Sequence, residues 1–340
     1  MTQHTGEPRE DRRSQTAPDP ELEDVLIFSG SAHVDLAQEI ADYLDIGLAP
    51  TTIRKFSNDN YYIQLGTSVR AKQVFIVQPL SPPCSDNLME LLLMLDIARS
   101  GAAKDVSAVI PYYSYARSDK KDAPRISIAA RLVADLLETS GATQVITMTL
   151  HSAQAHGFFG VPTDHLTAHS VFVEHLRKKD LSNSVVVAPD IGHAKRAAKL
   201  AKAIELPMAA GEKTRLSDNN VAITGVMGNV DDKDIILVDD EIATAGTITQ
   251  MVNYLKEHHG TRKVTVVGTH GLFTGPAVSR LNAVDVIDEI IVTNTVPRPE
   301  DHKPDRLIEL SVARIFGEVI RRNVQGESVG SLFEFWPTNK

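Results

Sequence analysis

Short, continuous apolar runs alternate with longer stretches of helical pattern along most of the chain after Val25. Six runs rich in β-branched residues are predicted to be buried strands: Val74–Gln78, Val106–Tyr112, Val145–Leu150, Val185–Asp190, Ile235–Asp240 and Val264–His270. Such runs, when helical stretches separate them, are typical of parallel strands covered on both faces. We therefore predict an α/β fold with two similar domains, each a mostly parallel sheet flanked by helices.

One helix is predicted over Asn87–Ser100, with Ser85 or Asp86 as its cap and Gly101 at its end. Its apolar residues cover more than one face: Leu88, Met89, Leu91, Leu92, Leu93, Met94, Leu95 and Ile97. A helix of this kind is buried on two sides, either as a core helix or at a subunit interface. The interface is favoured, because a two-domain α/β protein has few positions that bury a helix completely.

The chain contains a faint internal repeat. VFIVQPLS, a helix and KDVSAVIPY follow each other in the same order as IILVDDEIATAGT, a helix and KVTVVGTH. We predict two related domains, at residues 25–165 and 166–340, that join near His165–His169. Residues 1–24 are polar, charged and proline-containing, and are predicted to form a disordered tail.

The composition is that of a globular protein: 340 residues, 42% hydrophobic and 23% charged, enough for two cores. No apolar run approaches the roughly 20 residues of a membrane span, and the N-terminus lacks the apolar region of a secretory signal. Cys84 is the only cysteine, so no intrachain disulfide forms, which favours the cytoplasm. Without a basic neighbour, Cys84 is predicted to be an unreactive loop thiol. The net charge of −9 disfavours nucleic-acid binding.

The first candidate site lies where the strand Ile235–Val238 ends. Asp239 and Asp240 come directly after it, and open α/β sheets bind ligands at the carboxyl ends of their strands. A loop of small residues then leads to a helix near Ile248: Ala243, Thr244, Ala245, Gly246 and Thr247. Backbone N–H groups there can approach an anion, and the helix N-terminus adds partial positive charge. A phosphate in the loop and a diol at the acids indicate a ribose phosphate. For TAGT alone, a plain strand–turn–helix connection would be preferred.

This loop resembles the phosphoribosyl-diphosphate binding motif of type I phosphoribosyltransferases and of ribose-phosphate pyrophosphokinases. The segments that favour the second family occur in its order: IVQPLSPPCSDNLMELLLMLDIARSGA, VIPYYSYARSDKKD, LLETSGATQVITMTLHSAQAHGFFGVPTDHL, THGLFTGPAVSRLNA and GESVGSLF. The resemblance covers residues 25–335 and implies a type I phosphoribosyltransferase-like fold in each domain. It also implies transfer of the β,γ-diphosphoryl group of ATP to ribose 5-phosphate, with Mg²⁺, in a homo-oligomer, a hexamer built from dimers. Neither nucleic acid nor a membrane is an expected partner.

The resemblance also assigns site residues. Lys213 matches the catalytic lysine, Arg215 its partner, which also contacts ribose 5-phosphate, and Arg117 a third catalytic cation. In a strand, Lys213 and Arg215 would share one face. The ribose 5-phosphate ligands would be Asp239, Asp240, Ala243, Thr244, Ala245, Gly246, Thr247 and Arg215, and the metal ligands His151 and Asp190. Such transfers depend on positioning and on charge stabilisation. Read without the family, these cations would be solvated surface, His151 a structural histidine and Asp190 a helix cap.

The nucleotide side departs from the family pattern. The resemblance places ATP against Phe56, Asn58, Asn60, Arg117, Ser118, Asp122 and His151. Here FSNDN replaces the usual FSDGE and Ser118 replaces a glutamine, so the pattern of hydrogen-bond donors and acceptors differs and nucleotide preference stays open. Ala243 and Thr149 each stand where the family has an aspartate.

Two other functions are considered. A catalytically silent paralogue, acting as a regulatory subunit, is favoured by the altered positions 58, 60, 118 and 243. The retained cations and acids oppose it, because a pseudoenzyme has no need for Lys213 or Arg215. A phosphoribosyltransferase shares the loop, but it does not explain the segment TLHSAQAHGFF or the duplicated domains.

Overall fold

The computed structural model describes residues 20–217 and 220–332, and for residues 20, 213–217, 220–222, 301 and 331 it describes the backbone alone. The first half of the chain forms a six-stranded parallel sheet in the order β2-β1-β5-β6-β7-β8. Its elements are β1 Val25–Ser29, α1 Val34–Tyr43, β2 Leu48–Ala49, β3 Thr51–Lys55, β4 Tyr61–Leu65, β5 Gln73–Val77, α2 Cys84–Ser100, β6 Asp105–Ile110, α3 Ala129–Ser140, β7 Gln144–Met148 and β8 Thr163–Leu166. Strands β3 and β4 form a separate antiparallel hairpin that packs against α2.

The second half forms a seven-stranded sheet in the order β11-β10-β9-β12-β13-β14-β15. Its elements are α4 His169–Leu176, β9 Ser184–Ala188, α5 Ala194–Ala203, β10 Met208–Ser217, β11 Asn220–Met227, β12 Asp234–Ile242, α6 Gly246–His259, β13 Val264–Gly271, α7 Ala277–Asn282, β14 Ile287–Thr293, β15 Leu307–Leu310 and α8 Ala313–Gln325. All pairs are parallel except β10 with β11.

Both halves have the same strand order once the extra strands are set aside. The second strand of each half lies at one side of the first, and the following four strands extend from the other side. The repeat seen in the sequence matches this order, since β5, α2 and β6 occupy the same places as β12, α6 and β13. The predicted α/β class is confirmed, and each predicted strand is present with both ends within two residues of the predicted ones.

Helix α2 differs from the prediction at its start and in its burial. It begins at Cys84 with Pro83 in the N-cap position, so Cys84 belongs to the helix and not to a loop. Gly101 ends it, as predicted. Leu91, Met94 and Leu95 are fully buried, whereas Met89 on another face is half exposed. Within one chain, α2 is therefore buried on one side only.

The predicted domain limits at residues 24 and 165 stay predictions, and two structural observations bear on them. Residues up to 24 are predicted to be a disordered tail, yet Pro20–Leu22 form a turn of 3-10 helix, and Leu22 is buried in the core. Residues 1–19 lie outside the described part. The predicted join after His165 falls inside β8, which ends at Leu166.

The two halves share a hydrophobic core. One cluster of buried side chains contains Ile27 and Phe75 from the first sheet, Val186 and Val238 from the second, and Phe316 from α8. A second cluster lies on the outer face of the first sheet, and a third lies on the outer face of the second sheet. Because the shared cluster joins the sheets, side chains from both halves can be held at fixed distances from one another. No helix in residues 20–217 and 220–332 has the length and apolar content needed to cross a bilayer.

Candidate active site at the junction of the two halves

A hydrogen bond connects the two halves at the carboxyl ends of their sheets. His151 follows β7 in the first half, and its Nδ1 atom donates to the Oδ2 atom of Asp240 in β12 at 2.7 Å. The structure thus brings together a predicted metal ligand and a predicted ribose ligand from positions 89 residues apart.

Asp240 is the more enclosed member of the acid pair, at 3% exposure. Its Oδ1 atom lies 3.2 Å from Nε2 of His193 and 3.6 Å from Nη1 of Arg196. Burial alone would raise the pKa of Asp240, but hydrogen bonds from His151 and His193 and the charge of Arg196 bring it below the ordinary value. Asp240 is therefore a carboxylate whose oxygens already face cations and hydrogen-bond donors.

Asp239, the residue before Asp240, shares His193 as a neighbour but has other contacts. Its Oδ1 atom accepts the backbone N–H of Asp240 at 2.8 Å and lies 3.4 Å from Nε2 of His193. Burial, together with the adjacent negative charge of Asp240, raises the pKa of Asp239 to about 7. The pKa values of the two neighbouring acids are therefore shifted in opposite directions, and Asp239, which contacts fewer basic side chains than Asp240, is the one available to a sugar hydroxyl.

Asp190 comes after β9 and begins a turn of 3-10 helix, Ile191–His193. Its Oδ1 atom accepts the backbone N–H of His193 at 3.2 Å and the Nδ1–H of the same residue at 2.7 Å. Hydrogen bonds to Asp190 and to Asp240 raise the pKa of His193 to about 10. The predicted cap is present, and it orients a histidine that the sequence analysis does not identify.

The loop after β12 has the backbone of an anion site. Ala245 has a positive φ of 58° and is the N-cap of α6, which begins at Gly246, two residues before the predicted start. The first N–H groups of a helix have no acceptor within it, so those of Gly246 and Thr247 are available to a phosphate. The Nη1 atom of Arg280 donates to the carbonyl of Thr244 at 3.0 Å and holds the loop from the side of α7.

A cavity of about 750 Å³ lies at the junction of the two halves, and five of its lining residues carry cationic side chains. They are Arg117, Lys120, Lys195, Arg196 and Lys199, accompanied by His151, His165, His169 and His193. Asp119 is the acidic residue of the lining. A concave site with this excess of positive charge attracts a polyphosphate. His151 and His193 line the cavity and also contact Asp240, so the cavity reaches the acidic part of β12 that precedes the loop.

Arg117 reaches the acidic strand as well as the cavity. Its Nη1 atom lies 3.6 Å from Oε1 of Glu241, and the hydroxyl of Tyr112 donates to Oε2 of the same carboxylate at 3.2 Å. Burial raises the pKa of Glu241, and the charge of Arg117 opposes this rise. Glu241 lies beyond the predicted strand end, which explains why the sequence does not single it out.

The predicted adenine contacts do not join this cavity within one chain. Phe56, Asn58 and Asn60 lie in the turn of the β3–β4 hairpin, where all three are exposed. The hydroxyl of Ser118 accepts the N–H of Ala129 at 3.2 Å, so it holds the start of α3. Asp122 is exposed and does not line the cavity.

The predicted catalytic pair lies in β10, as expected for a strand. Lys213 pairs with Ile223 and Arg215 with Val221 of β11. The side chains of Lys213 and Arg215 lie outside the described part of the structure.

Sequence reasoning misses four residues of this junction: His193, Arg196, Glu241 and Arg280. A signal exists for two of them, because PDIGHAKR places a histidine and an arginine three and six residues after Asp190, on the same side of a helical turn. Glu241 and Arg280 carry no such signal, since only the packing of β12 and α7 brings them to the site.

Two halves of one topology, an acidic strand end and a small-residue loop at a helix N-terminus define an α/β protein of the phosphoribosyltransferase-like class. Residues 25–141 match the N-terminal domain of ribose phosphate pyrophosphokinase, and residues 215–334 match the phosphoribosyl synthetase-associated domain. The chain therefore belongs to the ribose-phosphate pyrophosphokinase family.

Known relatives agree with this membership. A putative ribose-phosphate pyrophosphokinase of Streptomyces coelicolor is 48% identical over 93% of this chain and 99% of its own length. A ribose-phosphate pyrophosphokinase of Deinococcus radiodurans is 48% identical over 91% of this chain and 98% of its own length. The crystal structure of phosphoribosylpyrophosphate synthetase from Mycobacterium smegmatis matches with a TM-score of 0.84 at 38% identity, covering 89% of this chain and 99% of that one.

Proposed function

We propose that the protein is an active ribose-phosphate diphosphokinase that converts ATP and ribose 5-phosphate into phosphoribosyl diphosphate and AMP. The observation that carries the proposal is the contact of His151 with Asp240, at 2.7 Å. This contact supports the proposal because it joins one wall of the basic cavity, which suits a triphosphate, to the acid pair that precedes the loop suited to a sugar phosphate. The two reactants would then meet in one pocket, which supplies much of the rate acceleration of such a transfer.

Ribose 5-phosphate would bind with its phosphate at the N–H groups of Ala243 to Thr247 and its ring hydroxyls at Asp239. Its anomeric oxygen would attack the β-phosphorus of ATP, the bond from that phosphorus to the α,β-bridging oxygen would break, and AMP would leave. The proton of the attacking hydroxyl would pass to solvent. Lys213, Arg215 and Arg117 would balance the charge of the migrating diphosphate, which is the main task of catalysis in such reactions.

Mg²⁺ is the expected cofactor, and it would arrive with the triphosphate of ATP. Asp190 and Asp240 offer oxygen ligands, which Mg²⁺ prefers. The imidazole nitrogens of His151 and His193 do not fit that preference, so no step of the mechanism above depends on an ion at those two residues.

We propose a homo-oligomer, a hexamer built from dimers, in the cytoplasm. Phe56, Asn58 and Asn60 are exposed at a hairpin tip and do not line their own chain's cavity. An adenine site that these residues complete from a neighbouring chain accounts for both facts. The exposed face of α2, with Met89 half exposed, offers a surface for the contact.

The direct test is AMP formation from ATP, ribose 5-phosphate and Mg²⁺ by the full chain. We expect turnover, with Lys213→Ala as the inactive control and Lys202→Ala, an exposed lysine of α5, as the matched active one. Repeating the assay with GTP, CTP and UTP determines nucleotide preference. No AMP or other monophosphate with any of the four, from a folded protein, would favour the silent regulatory paralogue.

A further inference from the structure

Three side chains at the junction are arranged as metal ligands. His151, His193 and Asp240 each offer one ligand atom, and these three atoms lie within 4.8 Å of one another. The ring of His151 approaches Oδ2 of Asp240 at 2.7 Å, and that of His193 approaches Oδ1 at 3.2 Å. Ligand bonds of about 2.0–2.2 Å put neighbouring ligand atoms roughly 3 Å apart, so small adjustments suffice to hold an ion.

Asp190 supports one of these ligands from behind. It accepts the Nδ1–H of His193 at 2.7 Å and the backbone N–H of the same residue at 3.2 Å. These bonds fix the ring so that Nε2 faces Asp240. Histidines that bind metals usually donate their other ring N–H to a carboxylate in this way. The sequence resemblance makes Asp190 a direct metal ligand. In this arrangement Asp190 orients His193 and does not itself bind this ion.

We propose that His151, His193 and Asp240 bind a divalent transition-metal ion, and that His193 makes the site prefer such an ion to Mg²⁺. The proposal deepens the proposed function and rests on it, because it concerns an ion that the protein itself holds at this site, in addition to the Mg²⁺ that arrives with ATP. Imidazole nitrogens suit transition-metal ions such as Zn²⁺ and Ni²⁺, and the carboxylate oxygen also suits Mn²⁺, which serves as the spectroscopic probe below. Mg²⁺ prefers oxygen ligands and retains several waters.

The surrounding charge is compatible with a cation. Arg196 opposes it, with Nη1 3.6 Å from Oδ1 of Asp240. The carboxyl groups of Asp190, Asp239 and Asp240 all lie within 3.4 Å of a ring nitrogen of His193, and they offset the positive charge of Arg196 and of the other cations that line the cavity. The ion would replace the proton that His193 presents to Asp240, so binding releases a proton.

The first test measures Mn²⁺ binding to the full chain without nucleotide, from the electron paramagnetic resonance signal of free Mn²⁺. His193→Ala is expected to weaken Mn²⁺ binding by at least about tenfold, the lower end of the effect of altering such sites. Mg²⁺ affinity, obtained by competition against Mn²⁺, is expected to change less, so that the preference for Mn²⁺ falls. His169→Ala, which changes another histidine of the same cavity, is the matched control and should alter neither affinity. Equal loss of both ions in His193→Ala would overturn the proposal.

The second test counts imidazole nitrogens coupled to bound Mn²⁺ by pulsed electron paramagnetic resonance. Two are expected in the unmodified protein, one in His193→Ala, and two in Asp190→Asn, which should only weaken binding by about 10- to 100-fold. One nitrogen or none in the unmodified protein would overturn the metal site. AMP formation with that result would leave the proposed function standing. Two nitrogens without AMP formation would support the site and contradict the function.

Discussion

The Nε2 atom of His270 donates a hydrogen bond to the carbonyl of Thr149 at 3.2 Å, so a fully enclosed histidine of the second half holds the turn that leads to His151. Thr149 has a positive φ of 46°, an unusual conformation for a β-branched residue. The Nδ1 atom of His270 accepts a second hydrogen bond, from the hydroxyl of Thr295, at 2.9 Å. Both hydrogen bonds of His270 require the neutral imidazole with its proton on Nε2.

This arrangement predicts a loss of stability in acid. Burial lowers the pKa of His270 from 6.5 to about 4, so the unfolded chain binds a proton more readily than the folded one. The contribution of the neutral ring is complete above pH 6.5 and is lost as the pH falls towards 4, at a cost on the order of 3 kcal/mol. Urea unfolding between pH 7 and 4 measures it. His270→Gln should flatten this dependence and exposed His258→Gln should not; an unchanged slope in His270→Gln would contradict the assignment.

The two acids of β12 are predicted to have separable roles. Asp239→Asn should weaken ribose 5-phosphate binding by about 10- to 100-fold, the effect of one hydrogen bond to a charged group, and should spare the nucleotide. Asp240→Asn should instead lower the free energy of unfolding by about 3 kcal/mol, because His193 and Arg196 lose a buried partner. Calorimetric titration and urea unfolding distinguish the two. Nucleotide binding reduced more than sugar-phosphate binding in Asp239→Asn would refute the assignment of the loop.

Lys213→Ala is predicted to reduce kcat by at least about 100-fold while ribose 5-phosphate binding stays nearly intact, because its charge is needed mainly in the transition state. Single-turnover kinetics and calorimetry of the same preparation measure both. Loss of sugar-phosphate binding to the same extent as turnover would show that Lys213 acts in the ground state.

Ser118→Ala is predicted to lower the free energy of unfolding by about 1 kcal/mol, since the hydroxyl of Ser118 accepts the N–H of Ala129 at the start of α3. Urea unfolding tests this expectation. Ser127→Ala removes a hydroxyl from the same segment but keeps the carbonyl to which Ser118 donates, so it should have a smaller effect. A raised KM for ATP with unchanged stability would favour the nucleotide contact that the family resemblance implies.

Much of the fold follows from local pattern. Strand β9 is continuous apolar sequence, and a run of this kind must be covered on both faces whatever lies around it. Gly101 ends α2 as expected. The start of α2 is different: Ser85 and Asp86 are good caps, but the backbone is extended at Pro83 and becomes helical from Cys84. The position of a helix cap depends on the path of the backbone, which the identity of nearby side chains does not determine.

The sequence by itself determined six of the fifteen strands in the described residues, the parallel arrangement of those six, the internal repeat and the position of the acid pair before a small-residue loop. These features depend on residues that are close together in the sequence, and the spacing of apolar residues and the residue types found in turns reveal them. Only the tertiary structure decided that Asp240 faces His151 and His193 while Asp239 stays available, and that Asp190 orients a histidine. Those contacts join residues from different elements, whose distances depend on how the two sheets pack over their shared core.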